Sequence, residues 1–172
     1  MTSDTGAVGR ILGSLRSADG RGVVRMQDRF DTGIDDLWSA LTDPGRLARW
    51  LGEVEGDLRL GGEFRASFFD GWEGTGRVEA CEPPQRLLVV TKHHRQADEQ
   101  VIEAILAADG DQTILVWEER GIPLNLLAAY GSGIQVHVED LAAHIAGRER
   151  REGEARWTEL MPAYRDLAAG VS

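Results

Sequence analysis

The period of the apolar residues changes twice along this chain, and those changes constrain its fold more than any other feature. In GIDDLWSALTDPGRLARWLG (33–52), Ile34, Leu37, Trp38 and Leu41 recur at the spacing of one helix face. Asp43-Pro44 closes that helix and opens a second, with Asp43 able to cap and Pro44 suited to the first helical position. Leu47, Trp50 and Leu51 continue the helical spacing. Then the period drops to two. In GEFRASFF, Phe64, Ala66 and Phe68 share one strand face, and Arg65 and Ser67 share the other. WEGTGRVEAC, RLLVVTKHH, QVIEAILAA and TILVWEER read as further strands. Pro83-Pro84 stops the first of these, and ADGDQ turns between the last two. After Gly121-Ile122-Pro123 the helical period returns. Leu127, Tyr130, Ile134, Leu141 and Ile145 lie along one stripe, with Val138 beside it.

The ends complete the pattern. Residues 9–30 read as two strands around Asp19-Gly20. Gly131 and Gly133 weaken the long helix near its start, and Gly147 suits its C-terminal cap. The basic run Arg148 to Arg151 is expected to end that helix, where cations suit the dipole. A last helix gathers Trp157, Leu160, Met161 and Tyr164, with Pro162 as a bend. Short joins between neighbouring strands imply an antiparallel meander. The expected class is α+β: a curved antiparallel sheet around a long C-terminal helix, with two short helices after the first strands. One domain over residues 1–172 is expected, because a chain of this length can bury roughly 70% of its unfolded surface.

Composition excludes several function classes. Acidic side chains number 29 against 19 basic, a net charge of −10 that disfavours a phosphate-backbone partner. No apolar run reaches the roughly 18 residues of a membrane span. MTSDTGAVGR has no apolar core and does not read as a signal peptide. A single cysteine, Cys81, fits a reducing compartment, so a cytoplasmic location is expected.

Three segments carry a resemblance to a known group. RFDTGIDDLWSALTDPGRLARWLG, GWEGTGRVEACEPPQRLLVVT, and LAAYGSGIQVHVEDLAAHIAGRE followed by ARWTELMPAYRDLA resemble the START-like (SRPBCC) superfamily. Within it they resemble the branch named after the activator of Hsp90 ATPase. The resemblance covers about residues 20–168. It implies a helix-grip fold with a cavity between sheet and long helix. Related folds bind lipids, hormones and polyketides, and some are cyclases or hydrolases. Eukaryotic activators carry a separate N-terminal domain for which this sequence leaves no room, so no stimulation of a heat-shock ATPase is expected.

The candidate site follows from side chains that such a fold brings together. Trp50, Phe64, Phe68, Trp72, Trp117 and Tyr130 come from separate elements, and apolar cavities are lined by such rings. Ile134, His137 and Leu141 present the sheet-facing stripe of the long helix to the same space. His137 and His144 lie two turns apart with Asp140 between them, too few ligands for a metal site. Desolvation of His137 and a helix C-terminus near His144 predict that His137 titrates below His144. His137→Leu is expected to keep the fold. His93 and His94 are expected on opposite faces of a strand and are set aside. Of Glu118 and Glu119, one is expected to point inward, and a strand-end ion pair is the competing reading. Cys81 reads as a packed thiol. No nucleophile elbow, dinucleotide fingerprint or cofactor motif occurs.

The leading expectation is a domain that binds a small apolar or aromatic molecule. Its rivals are an enzyme using the same cavity, of cyclase or hydrolase type, and a stress-related module with a protein partner or a homodimer. A buried polar trio such as His137, Tyr130 and an inward glutamate would favour the enzyme. A dry cavity would favour binding. A filled interior with an exposed apolar patch would favour interaction.

Overall fold

The structure is a computed structural model that describes residues 9–171. The signal-peptide reading rests mostly on residues 1–8, outside that range. Eight strands form one antiparallel sheet in the order β1-β2-β8-β7-β6-β5-β4-β3. They are β1 (Gly13–Ala18), β2 (Arg21–Phe30), β3 (Gly52–Gly56), β4 (Glu63–Phe68), β5 (Glu73–Glu82), β6 (Arg86–His93), β7 (Gln100–Asp109) and β8 (Gln112–Ile122). Two short helices, α1 (Ile34–Thr42) and α2 (Pro44–Trp50), separate β2 from β3. The long helix α3 (Leu127–Ile145) and a last helix α4 (Gly153–Ala169) follow the sheet. This is the helix-grip arrangement.

The alternation of β4 and β8 builds the inner face. Trp117 and Glu119 are buried on β8, while Glu118 and Arg120, which alternate with them, are only partly buried. β3 was not anticipated: its GEVEG carries only one apolar side chain, Val54, and it forms an edge paired to β4 alone. Edge strands tolerate such polar sequences.

Three local expectations need correction. Asp43 stands at the N-cap of α2 with Pro44 behind it, but its carboxylate makes no capping hydrogen bond. Helix α3 is not buried on one stripe only. Every residue from Gly131 to Val138 is buried, because α4 covers the face turned away from the sheet. Gly131 permits that contact, since a Cβ there would fall 2.6 Å from the Tyr164 ring. Arg148 to Arg151 lie past the end of α3, not in its last turn. The helix closes first, with Gly147 at φ +71°, its N–H donating to His144 O and that of Arg148 to Ala143 O. The remaining basic run joins α3 to α4, and α4 stays helical through Pro162.

Candidate functional site

A cavity of about 720 Å³ lies between the inner face of the sheet and helix α3. The β4–β5 turn (Phe69 to Gly71) and the α3–α4 connection close in around it. Its rim carries the exposed residues Gly71, Glu152 and Glu154. A smaller apolar crevice of about 100 Å³ adjoins it under α2 and shares Phe68, Thr91 and Ile102 as a common wall.

The nine residues expected from sequence divide into three groups. Phe68, Trp72, Tyr130, Ile134 and His137 line the large cavity. Trp50, Phe64 and Trp117 line the apolar crevice instead. Trp50 is fully buried, packs edge-on to Trp117 at 6.2 Å, and donates Nε1–H to Ala40 O at 2.9 Å. Leu141 lines neither space. It is fully buried in the hydrophobic core, and its expected place on the cavity wall is thereby corrected. One helical turn carries the α3 stripe from the cavity into the α1–α2 side of the core.

The aromatic wall is a run of contacting rings. Phe68 stacks on Trp72 with centroids 4.8 Å apart, and Trp72 meets the edge of His93 at 5.8 Å. Gly74 of β5 leaves room for the Trp72 ring and Gly76 for Phe64 of the crevice, since a Cβ at either would strike that ring. His93 and His94 do not diverge. Their rings stack at 4.7 Å, because β6 ends at His93 and the strand alternation ends with it. His93 therefore belongs to the cavity wall, against the sequence expectation.

Polar groups converge beside this wall. His137 Nε2 lies 3.1 Å from Asp70 Oδ2 and meets the edge of Phe68. Burial pulls the His137 pKa down, but the hydrogen bond and charge of Asp70, with Glu119 and Asp140 behind it, outweigh that and leave it raised. Asp70 feels the same contest: burial raises its pKa, and the His137 interactions bring the net below the usual carboxylate value. His144 sits elsewhere, with Arg46 Nε 3.1 Å from its Nε2. Desolvation lowers its pKa, and Arg46 and Arg49 lower it further. The sequence-based order of the two imidazoles is thus reversed, because Asp70 in the β4–β5 turn supplies a partner that helical spacing could not reveal. NMR titration is expected to place His137 above His144, and Asp70→Asn to lower His137 while leaving His144 unchanged. His137 titrating at or below His144 would contradict the pairing.

Asp140 joins neither histidine. It faces Arg150 at 3.6 Å, and Arg150 also covers the Phe69 ring at 3.9 Å. Burial pushes the Asp140 pKa up to about 6 despite Arg150 and His137.

The inward glutamate is Glu119. It is 7% exposed, and its Oε2 accepts Trp117 Nε1–H at 3.0 Å. Desolvation pushes its pKa up to about 7, and the Trp117 hydrogen bond only partly offsets this. Glu118 faces the other way and pairs with Arg120 and Arg16. Both readings of this acidic pair therefore hold, one for each residue. Glu119, His137 and Tyr130 line one cavity, with Gln96 and Gln100 donating to the Tyr130 hydroxyl at 3.4 and 3.3 Å.

Sequence reasoning missed Asp70, His93, Gln100 and Trp157. Asp70 read as a turn residue, and Trp157 as packing for the last helix. Trp157 does pack, donating Nε1–H to Ala129 O at 3.1 Å, but it also faces the cavity. Only the fold brings these residues together.

Comparison with known proteins identifies the scaffold. The family described as activator of Hsp90 ATPase homolog 1-like protein matches residues 31–146. The crystal structure of CalU16 from Micromonospora echinospora superposes with a TM-score of 0.75 at 28% identity, over 91% of this chain and 95% of that one. DynU16, a protein in the dynemicin biosynthetic locus, gives 0.70 at 27% identity over 79% of this chain, which spans only 51% of DynU16. PFC0360w, an HSP90 activator from Plasmodium falciparum, shares the fold at TM-score 0.52 and 22% identity, over 59% of this chain and 74% of that one. No curated protein matches the chain significantly. The chain belongs to the family of activator of Hsp90 ATPase homolog 1-like proteins, on a START-like, helix-grip scaffold.

Proposed function

We propose that this protein binds a small, largely aromatic molecule between the sheet and helix α3. The observation that carries this reading is the cavity itself: about 720 Å³, with the rings of Phe68, Trp72, Tyr130 and Trp157 on its walls and polar groups, Glu119, His137 and Gln100 among them, lining the same space. Phe68, Trp72, Tyr130 and Ile134 would hold the apolar body, and His137 would orient a polar group. Trp50, Phe64 and Trp117 would shape the adjoining crevice. Membership of DynU16 in a biosynthetic locus supports a biosynthetic small molecule as occupant. A protein partner is less well supported, since the large exposed apolar residues Leu60, Phe69, Ile105, Leu124 and Leu167 come from separate segments. No helix among the described residues is long and apolar enough to cross a membrane. The single thiol of Cys81 supports a reducing, cytoplasmic setting.

Gly133 provides the test. A Cβ at this position would meet nothing nearer than 3.7 Å, and its nearest neighbours are the cavity side chains of Asp70 and Trp157, so a larger side chain would take up cavity space. Nile red, an uncharged dye, is expected to bind the wild type with one-to-one stoichiometry and to change tryptophan fluorescence. Gly133→Leu is expected to keep the circular dichroism spectrum and weaken the dye at least about tenfold, or ~1.4 kcal/mol. Equal affinity for both proteins would place the dye elsewhere and sink the reading.

A second reading is favoured by one observation. His137, Tyr130 and Glu119 meet in the same cavity, with the Glu119 pKa pushed up to about 7 and that of His137 raised. Such groups could pass a proton to and from a carbon beside a carbonyl. Acetophenone in D2O then loses its methyl protons faster with protein than without, and His137→Gln removes the difference. No acceleration by the wild type would exclude this chemistry for that substrate class.

A further inference from the structure

The carboxylates of the cavity are not equally satisfied. Asp70 has His137, and Asp140 has Arg150. Glu152 caps α4, accepting the N–H groups of Glu154 and Ala155, and Glu154 is exposed at the rim. Glu119 differs. Its only hydrogen bond among the described residues is to Oε2, from the Trp117 indole. Its Oε1 has none, yet among the described residues no fully enclosed side-chain polar atom lacks a partner. Oε1 therefore opens onto the cavity from a side chain that is 7% exposed.

We infer that the cavity accepts an organic ammonium ion carrying an aromatic or apolar body, with the cation seated at Glu119 Oε1. This rests on the small-molecule reading above and names the chemical class of the ligand. A desolvated carboxylate is best matched by a charged donor, because charge-assisted hydrogen bonds are about twice as strong as neutral ones. The same cavity is walled by the rings of Phe68, Trp72 and Tyr130, and ring faces attract cations. Positive groups on the cavity are few. His137 is held by Asp70, His93 lies against Trp72, and Arg150 is held by Asp140 and Phe69. Five carboxylates, those of Asp70, Glu119, Asp140, Glu152 and Glu154, line the same space and its rim. An anionic ligand would meet that set unfavourably, and the net charge of −10 steers cations towards the protein. The groups that face Glu119 and influence its charge are Trp117 on its own strand, His137 on α3 and Asp70 on the β4–β5 turn.

Three probes of one shape decide the matter: naphthylmethylamine, naphthylmethanol and naphthoic acid, titrated calorimetrically at about pH 8, where the amine is still mostly protonated. The amine is expected to bind at least about tenfold tighter than the alcohol, and the acid weakest. In Glu119→Gln the amine should fall to the affinity of the alcohol, while the alcohol keeps its own. An alcohol as tight as the amine in the wild type overturns the ammonium proposal and leaves the cavity reading intact. An amine preference that survives Glu119→Gln overturns the seat at Glu119. Absence of amine binding overturns the proposal, and only if Nile red also fails to bind does the cavity reading fall with it.

Discussion

Glu119→Gln makes the protein more stable at pH 8 and leaves its stability unchanged at pH 4. Below the unfolded value of 4.5, the carboxyl is protonated in both states and its burial carries no charge penalty. As pH rises from 4.5 to about 7, the unfolded chain releases this proton and the native protein keeps it. The native state loses stability through that window, and above it the loss is constant. The gap between the two values corresponds to about 3 kcal/mol. Glutamine keeps an acceptor for the Trp117 indole and removes the titration. For a chain of this size the expected gain in Tm at about pH 8 is roughly 6 to 12 °C. His137 acts in the same sense in the wild type. Its raised pKa contributes stability that is complete below the unfolded value of 6.5 and lost as pH rises through the folded value. The two groups together predict a wild type whose stability declines from mildly acidic to mildly alkaline pH. Equal Tm values for wild type and Glu119→Gln at about pH 8 would show that Glu119 is not the buried, unpaired carboxylate described above.

Trp50→Ala produces the largest loss. Trp50 is fully buried between α1, α2 and the sheet, holds Ala40 O through its indole, and braces Trp117 edge-on. Removing a buried ring of this size costs about 3–5 kcal/mol, through lost burial and the void left behind. The void would open into the apolar crevice. Trp117 would lose its packing partner and Glu119 its firmly held indole donor. Urea unfolding should therefore show a large drop in midpoint, accompanied by weaker discrimination among cavity ligands. A loss under about 1 kcal/mol would mean that the α1–α2 pair collapses onto the sheet without Trp50.

The elements were legible because their periods differ. The alternation of Phe64, Ala66 and Phe68 marked β4, and the stripe from Leu127 to Ile145 marked α3. Both signals are local and survive without knowledge of the partners. β3 gave no such signal, because an edge strand with one apolar side chain has little pattern to show. The site was half legible. Phe68, Trp72, Tyr130, Ile134 and His137 could be proposed because large rings and the helix stripe point to an interior. The residues that set the chemistry were not. Asp70 stands in a turn, and its pairing with His137 spans 67 positions. Glu119 was one of two neighbours whose direction depends on which face of β8 meets the helix, and only the sheet order settles it. Leu141 was misplaced for a related reason: the stripe of α3 faces the cavity at Ile134 and His137 and the packed core at Leu141, one turn later. Helix α4 was legible as an element, but not its place against α3. Its Tyr164 and Trp157 read as a separate cluster, and their burial of the outer face of α3 follows from tertiary packing alone.

The central claim is that a small molecule enters between the sheet and α3. Amide NMR of the wild type, titrated with naphthylmethanol, tests it most directly. The predicted shifts centre on Phe68, Trp72, Thr91 and Ile102 in the sheet and on Tyr130 to His137 in α3, and they vanish in Gly133→Leu. Shifts confined to exposed positions such as Leu60, Ile105, Leu124 and Leu167, and unchanged in Gly133→Leu, would contradict it.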